Sequence, residues 1–162
     1  MILIGLGANL PSPAGPPLET LRAALAALTR NGAEAASVSR FYQTPAWPDP
    51  ADPPFVNAVA AVRTELSPAG LLLLLQGIEQ HFGRVEAGRN APRPLDLDIL
   101  DYNGRIEAGP PILPHSRMET RAFVLVPLAE VAPGWRHPVS GRFVEDLIAA
   151  LPAGEATLKP LT

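Results

Sequence analysis

Residues 53–83 read PPFVNAVAAVRTELSPAGLLLLLQGIEQHFG, and this stretch predicts a strand that leads directly into a helix. The two prolines at its start mark the beginning of a strand over residues 55–63. Ser67 followed by Pro68 is typical of a helix start, an N-cap residue with proline at the first helical position. Gly83 marks the end of that helix. The buried stripe of the helix is formed at helical spacing by Leu71, Leu72, Leu75, Ile78 and Phe82.

The chain before residue 53 predicts the same kinds of element. Residues 2–6 form a short continuous apolar run, which is typical of a buried strand. The glycine pair at its end lacks the third glycine of a dinucleotide-binding turn, so that fold is excluded. Leucines at helical spacing predict an amphipathic helix over residues 17–30, and a second strand is expected over residues 38–43. Residues 44–54 contain five prolines and should form a loop.

The chain after residue 83 adds one more strand to this pattern. Residues 95–102 predict a strand, and Asn103-Gly104 is a turn signal that predicts a hairpin with residues 105–107. The remainder is expected to be rich in loops, with a last helix near residues 143–151. The order strand, helix, strand, strand, helix, strand predicts an α+β fold, a ferredoxin-like βαββαβ sandwich with a C-terminal extension in a single domain over residues 1–162.

Composition excludes several classes of function. The 162 residues include no cysteine, which excludes disulfides, zinc-thiolate sites, iron–sulfur clusters and a cysteine nucleophile. Sixteen acidic against thirteen basic residues give a net charge of −3, so neither nucleic acid nor an anionic membrane is expected as a partner. The single lysine, Lys159, lies in the C-terminal tail, so no P-loop is present. No apolar run is long enough to span a membrane and no signal peptide precedes the first strand, so a cytoplasmic location is expected.

The strongest chemical signal is Asp96-Leu97-Asp98 within the predicted strand. Alternate residues of a strand share a face, so the two carboxylates project side by side. Two like charges in this arrangement raise each other's pKa unless a cation lies between them, and oxygen ligands suit Mg²⁺. The alternative is an ordinary solvated strand face.

Basic residues surround this acidic pair in the sequence. Guanidinium groups beside a carboxylate metal site are what a magnesium-bound polyphosphate requires. Isolated surface ion pairs are the alternative for some of them. The residues concerned are Arg84, Arg89 and Arg93 upstream, with His115, Arg117 and Arg121 downstream.

Two further pairs have side chains that can contact a ligand. Phe55 and Asn57 alternate on one strand face, where an aromatic ring and an amide can stack on and read a flat heterocycle. Gln76 and Glu79 lie at the margin of the helical leucine stripe, where they can bind a ligand or serve as ordinary boundary residues. For Phe55 and Asn57 the alternative is a core aromatic ring beside a hydrogen-bonded amide.

Several ordered motifs together resemble one enzyme family. They are residues 5–10 (GLGANL), 39–45 (SRFYQTP), 54–59 (PFVNAV), 78–84 (IEQHFGR), 92–99 (PRPLDLDI) and 114–123 (PHSRMETRAF). In this order and spacing, from about residue 3 to residue 133, they resemble the 6-hydroxymethyl-7,8-dihydropterin pyrophosphokinase family. The most specific of them is the segment 92–99.

The resemblance implies transfer of pyrophosphate from ATP to the hydroxymethyl group of a reduced pterin, with release of AMP, in folate biosynthesis. It implies two Mg²⁺ ions held by Asp96 and Asp98, with Arg84 and Arg93 as the other catalytic residues. The ATP-binding residues that it implies are Gln76, Glu79, Arg84, Arg93, Ile99, Ile112, His115 and Arg121. The pterin-binding residues that it implies are Thr44, Pro45, Trp47, Phe55, Asn57, Asp96 and Phe123. A monomer is expected.

The chain departs from the resembled pattern at three places. Trp47-Pro48 replaces an aliphatic residue and glycine, Ser116 replaces a common aromatic residue, and the segment 84–93 is one residue shorter than usual. The segment 84–93 is expected to be mobile without ATP, because Gly83 before it and Gly88 within it can absorb large changes in backbone dihedral angles.

Two other classes of function are consistent with the acidic pair alone. One is a catalytically silent ferredoxin-like domain that binds a structural or sensory cation. The other is a two-metal nuclease, against which the net charge of −3 argues. Formation of AMP from ATP, Mg²⁺ and the hydroxymethyl pterin distinguishes all three.

Overall fold

The structure is a computed structural model that describes residues 1–46, 49–85 and 91–161. These residues form six strands, four α-helices and one short 3-10 helix, Met118–Thr120. The strands are β1 (Ile2–Ala8), β2 (Ala33–Val38), β3 (Tyr42–Thr44), β4 (Phe55–Thr64), β5 (Asp96–Tyr102) and β6 (Lys159–Pro160). The helices are α1 (Pro17–Arg30), α2 (Pro68–His81), α3 (Ala122–Val131) and α4 (Val144–Ala149). No helix in the described part of the chain is long and apolar enough to cross a membrane.

The strands pair into one antiparallel sheet in the order β5-β1-β4-β3-β6, with β2 also paired to β4. Strand β1, the first in the sequence, therefore lies between β4 and β5. This arrangement confirms the predicted ferredoxin-like βαββαβ order. Ser67 accepts a hydrogen bond from the Gly70 N–H at 3.1 Å, which confirms the predicted N-cap of α2.

The two faces of the sheet pack against different helices. Helices α1 and α2 cover one face, where Ile4, Leu21 and Leu75 are fully buried in one hydrophobic core. Helices α3 and α4 cover the other face, where Leu3 and Leu128 belong to a second core. The odd-numbered residues of β1 point to this second face, and after Leu3 they are glycines. The second core therefore ends partway along β1 and leaves an uncovered part of the sheet beyond it.

The predicted single strand over residues 38–43 is wrong. The structure has β2 and β3 instead, which pair with opposite ends of β4. Between them the Ser39 hydroxyl accepts the Val59 N–H at 2.9 Å and donates to the Arg40 carbonyl at 2.8 Å. Hydrogen bonds of the Ser39 side chain thus replace part of the backbone–backbone pairing with β4. The small residues of β2 have little strand propensity, which hid this strand in the sequence.

The predicted hairpin after β5 is also wrong. Asn103-Gly104 forms the expected tight turn, with Asn103 at a φ of 52°. The Asp101 carboxylate accepts the Gly104 N–H at 3.0 Å. The chain then pairs Glu107 with Leu113 rather than with β5. Prolines in the intervening segment remove the N–H donors that a longer ladder would need.

The expectation that the chain after residue 107 is mostly loop missed α3. This helix is apolar on all sides and contains Pro127, so it has no amphipathic period. Its burial in the second core compensates for the internal proline, since Leu125 and Leu128 are fully buried. The last predicted helix is confirmed as the shorter α4.

Candidate active site

The uncovered part of the second sheet face holds two adjoining cavities. The first, of about 920 Å³, is rich in arginine and is called the arginine cavity. The second, of about 810 Å³, contains two phenylalanines and is called the aromatic cavity. Both cavities share one wall. Its residues are Arg93, Asp96, Asp98, His115, Ser116, Arg117 and Arg121.

The acidic pair projects from β5 into this shared wall. The strand register places Asp96 opposite Gly7 and Asp98 opposite Gly5 of β1. Because these neighbours have no side chains, nothing on β1 obstructs the carboxylates. Burial, with the negative charges of Asp96 and Glu79, raises the pKa of Asp98 to about 7. The structure thus places both predicted metal ligands on one face at a position where a cation would relieve their repulsion.

An ion-pair cluster surrounds Asp96. Arg84 Nη1 lies 2.9 Å from Asp96 Oδ1 and 2.5 Å from Glu79 Oε2. Arg93 Nη1 lies 3.5 Å from the same Asp96 oxygen. Two predicted arginines and one predicted aspartate are therefore in contact with one another.

Glu79 is hydrogen-bonded to β5, the strand that carries Asp96 and Asp98. Its Oε2 accepts the Leu97 N–H at 2.8 Å. Burial raises the pKa of the Glu79 carboxyl above its ordinary value, while the Leu97 N–H and Arg84 oppose this shift. Glu79 lines the arginine cavity as predicted, and it also fixes β5 between the two aspartates.

Asn9 supports the site through the backbone of Arg93, a role that the sequence did not predict. It is 3% exposed, and its side chain accepts the Arg93 N–H at 2.9 Å and donates to the Pro53 carbonyl at 3.1 Å. Its own N–H donates to the Arg93 carbonyl at 3.2 Å. Asn9 therefore fixes the backbone of Arg93 against the end of β1. The signal in the sequence was an amide directly after a buried strand, where an unpaired polar group is costly.

The aromatic cavity is organised around Asn57. This side chain is buried, and its Nδ2 donates to Thr44 Oγ1 at 2.7 Å. A Cβ atom built on Gly7 would lie 2.8 Å from Asn57 Oδ1, so the amide oxygen occupies the space above that glycine. The sequence placed these glycines in a motif of the resembled family but did not predict that they form the floor of the aromatic cavity. Phe55, on the same face of β4, also lines this cavity.

His115 in the shared wall has an unusual environment. Burial and the positive charge of Arg121 lower the pKa of its imidazole below the ordinary value. Its Nδ1 accepts the Arg117 N–H at 3.3 Å, so the neutral ring carries its proton on Nε2. His115 therefore offers a hydrogen-bond donor without a charge at neutral pH.

The structure brings together most of the predicted site residues. Gln76, Glu79, Arg84, Arg93, His115 and Arg121 line the arginine cavity. Thr44, Pro45, Phe55, Asn57 and Phe123 line the aromatic cavity.

Two predicted residues lie elsewhere, and others fall outside the described ranges. Ile99 is buried in the core beneath α1 and α2, and Ile112 is exposed, so neither is among the described residues that line the cavities. Trp47, Gly88 and Arg89 lie outside the described residues.

This chain is similar to several known proteins. A family model described as 7,8-dihydro-6-hydroxymethylpterin-pyrophosphokinase (HPPK) matches residues 3–133. A 2-amino-4-hydroxy-6-hydroxymethyldihydropteridine pyrophosphokinase of Synechocystis sp. is 41% identical over 90% of this chain and 73% of its own length. The protein of the same name in Pseudomonas aeruginosa is 44% identical over 93% of this chain and 91% of its own length. Folic acid synthesis protein FOL1 of Dictyostelium discoideum is 45% identical over 52% of this chain and 13% of its own length.

Two solved structures share the fold. Plasmodium falciparum HPPK-DHPS superposes with a TM-score of 0.64 at 14% identity, over 90% of this chain and 43% of that chain. A structure of HPPK-DHPS in complex with substrates gives a TM-score of 0.67 at 13% identity, over 90% of this chain and 42% of that chain. This chain spans less than half of those two polypeptides. From the family match and the relatives above, this chain belongs to the 7,8-dihydro-6-hydroxymethylpterin-pyrophosphokinase family, a family of diphosphate-transferring enzymes of folate biosynthesis.

Proposed function

We propose that this enzyme binds ATP in the arginine cavity and 6-hydroxymethyl-7,8-dihydropterin in the aromatic cavity. The pterin hydroxymethyl oxygen attacks the β-phosphorus of ATP, the bond from that phosphorus to the α,β-bridging oxygen breaks, and AMP leaves. The hydroxyl proton is released. The observation that carries this proposal is the wall shared by the two cavities, which contains Asp96 and Asp98. Two ligands in adjoining cavities would meet at these carboxylates.

The arginine cavity has the chemistry that a triphosphate requires. Arg84, Arg93, Arg117 and Arg121 line it, and guanidinium groups bind phosphate oxygens with paired hydrogen bonds. A neutral His115 adds a donor. Arg84 and Arg93 contact Asp96, and once phosphate oxygens replace that carboxylate these donors would stabilise charge on the transferred unit and on AMP.

The aromatic cavity has the chemistry that a pterin requires. Phe55 and Phe123 supply apolar rings for a flat heterocycle. The Asn57 amide is held by Thr44, so it presents its polar atoms in a fixed direction. A preorganised amide beside aromatic rings favours a ring system whose edge carries both hydrogen-bond donors and acceptors.

The acidic pair fits magnesium. The described residues contain no group of three or more His, Asp or Glu side chains arranged to hold a metal ion. Mg²⁺ is commonly bound by only one or two carboxylates together with water and substrate phosphates, which matches an isolated pair. Asp96 and Asp98 would hold the metal, which would offset the burial and the repulsion from Asp96 that together raise the pKa of Asp98. When bound, Mg²⁺ neutralises phosphate charge and lowers the pKa of the attacking hydroxyl.

The side chains of this chain supply orientation rather than covalent chemistry. Glu79 fixes the strand between the two aspartates, and Asn9 fixes the backbone of Arg93. Proximity and alignment of two bound substrates account for a large part of the barrier reduction in such reactions. The proposed active form is a monomer.

The experiment that tests this proposal is an assay of AMP. The purified protein is incubated with ATP, Mg²⁺ and 6-hydroxymethyl-7,8-dihydropterin, and nucleotides are separated by chromatography. We expect AMP in equal amount to the diphosphorylated pterin and no AMP when the pterin is omitted. Asp98→Ala should abolish AMP formation, whereas Asp52→Ala on the Pro-rich loop should not. Formation of ADP, or of AMP without pterin, would refute the proposal.

A further inference from the structure

We propose that the C-terminal tail, residues 152–161, is part of the pterin site and that Leu158 is a specificity-determining residue for the pterin. This inference rests on the proposed assignment of the aromatic cavity to the pterin. Glu155 and Leu158 are among the residues that line that cavity. Both lie beyond residue 133, where the family match ends. The sequence analysis gave this tail no role.

Backbone pairing fixes the position of the tail. Strand β6 pairs antiparallel with β3, with Tyr42 opposite Pro160 and Gln43 opposite Lys159. The Leu161 N–H donates to the Phe41 carbonyl at 2.8 Å, which extends the same pairing. Continuation of this register by one residue carries Leu158 to the level of Thr44. The tail therefore reaches the cavity through the strand that carries a pterin-facing residue.

Two turns before β6 bring the chain to this position. The Glu155 N–H donates to the Pro152 carbonyl at 3.1 Å, and the Thr157 N–H donates to the Gly154 carbonyl at 3.2 Å. Gly154 has a φ of +87°, a conformation that residues with side chains rarely adopt. The tail between α4 and β6 is thus a defined turn structure.

The chemistry of the tail complements that of the opposite wall. Thr44 accepts a hydrogen bond from Asn57, so this side of the cavity is polar. Leu158 is half-buried and places an apolar group beside that polar pair, while Glu155 is exposed. An apolar group at this position excludes water from the Asn57 amide when a heterocycle is bound, which strengthens its hydrogen bonds. The tail therefore adds selectivity for a flat ring, and neither Glu155 nor Leu158 is among the described residues that line the arginine cavity.

The test compares two leucines of the same tail. Leu158→Ala removes the side chain that lines the cavity, whereas Leu161→Ala removes one that is not among its lining residues. Affinity for the pterin is measured by calorimetry in the presence of a non-hydrolysable ATP analogue, and KM values for both substrates are measured from AMP formation. We expect Leu158→Ala to weaken pterin binding about fivefold or more, as loss of a partly buried leucine contact would. The KM for ATP should change less than twofold, and Leu161→Ala should match the wild type.

The conservative variant Leu158→Met provides a second measurement in the full chain. It keeps an apolar side chain at this position, so its pterin affinity should stay within about twofold of the wild type while its ATP analogue affinity is unchanged. Leu158→Ala with wild-type pterin affinity would overturn the inference, and so would equal losses for pterin and ATP. A wild-type protein that forms no AMP refutes the proposed function, and the calorimetric comparison still decides the role of the tail. A wild-type protein that binds no pterin overturns both.

Discussion

Gly7→Ala tests whether the fixed amide of Asn57 decides pterin affinity. The added Cβ would lie 2.8 Å from Asn57 Oδ1, closer than such atoms normally approach, and 3.8 Å from Phe55 Cδ1, which is ordinary contact. The amide must therefore move, although Thr44 holds it through a hydrogen bond of 2.7 Å. Loss of a hydrogen bond by a buried group costs about 1–3 kcal/mol, which corresponds to roughly a 5- to 150-fold loss of pterin affinity. Asn57→Ala should give a loss of the same order.

Gly5→Ala is the matched control for this variant. Its Cβ would meet only the flexible Leu100 side chain, at 3.4 Å and beyond, so no polar group has to move. Calorimetry with the pterin and, separately, with an ATP analogue measures both variants. We expect a selective pterin loss for Gly7→Ala and a much smaller effect for Gly5→Ala. Equal pterin losses in the two variants would refute the role of the displaced amide and indicate simple filling of the cavity floor.

Three further variants test the acidic pair, an arginine and the second core. Because the folded-state pKa of Asp98 is raised to about 7, the metal-free protein should lose stability as pH rises from about 4 to 7, by at most about 1.4 kcal/mol per pH unit. Thermal unfolding in the presence of a chelator should show that Asp98→Asn reduces this dependence of stability on pH. The variant should melt at a higher temperature than the wild type at pH 8, and a lower melting temperature would contradict this account. Arg93→Ala should reduce kcat about 100-fold, measured by steady-state kinetics, with a smaller change in ATP affinity, measured by calorimetry. A tenfold loss of ATP affinity at normal kcat would instead show that Arg93 acts in the ground state. Trp135→Phe removes the 2.8 Å hydrogen bond to buried Asp101 and should lower the free energy of unfolding by about 1–3 kcal/mol in denaturant titrations, with kcat unchanged.

The sequence predicted those helices and strands whose local residue pattern agrees with the way they are buried in the fold. Helix α2 has an N-cap, a proline at its first turn and an apolar stripe, and each of these signals is local. Helix α3 lacks them because it is buried on several sides and contains Pro127. Strand β2 consists largely of small residues whose pairing with β4 is decided by tertiary contacts. Local propensity could not find either element.

The same distinction between local sequence patterns and long-range contacts applies to the site. Asp96 and Asp98 were predictable because alternation along one strand places them on one face. The roles of Gly7 and Asn9 depend on atoms that lie far away in the sequence, namely Asn57 and the Arg93 backbone. No pattern within a single segment contains that information. The contribution of the tail depends likewise on the pairing of β6 with β3.

The contacts of Asp96 with two arginines have a consequence for how the nucleotide reaches the protein. Arg84 and Arg93 both lie within 3.5 Å of one Asp96 oxygen, so part of their positive potential is cancelled at long range. The chain as a whole carries a charge of −3, which repels an anion at a distance. Diffusional encounter with ATP should therefore gain little from electrostatic steering, and the association rate should rise rather than fall as added salt screens the net repulsion. Under the proposed function, attraction would begin only inside the cavity, when phosphate oxygens take the place of the carboxylate on the guanidinium groups.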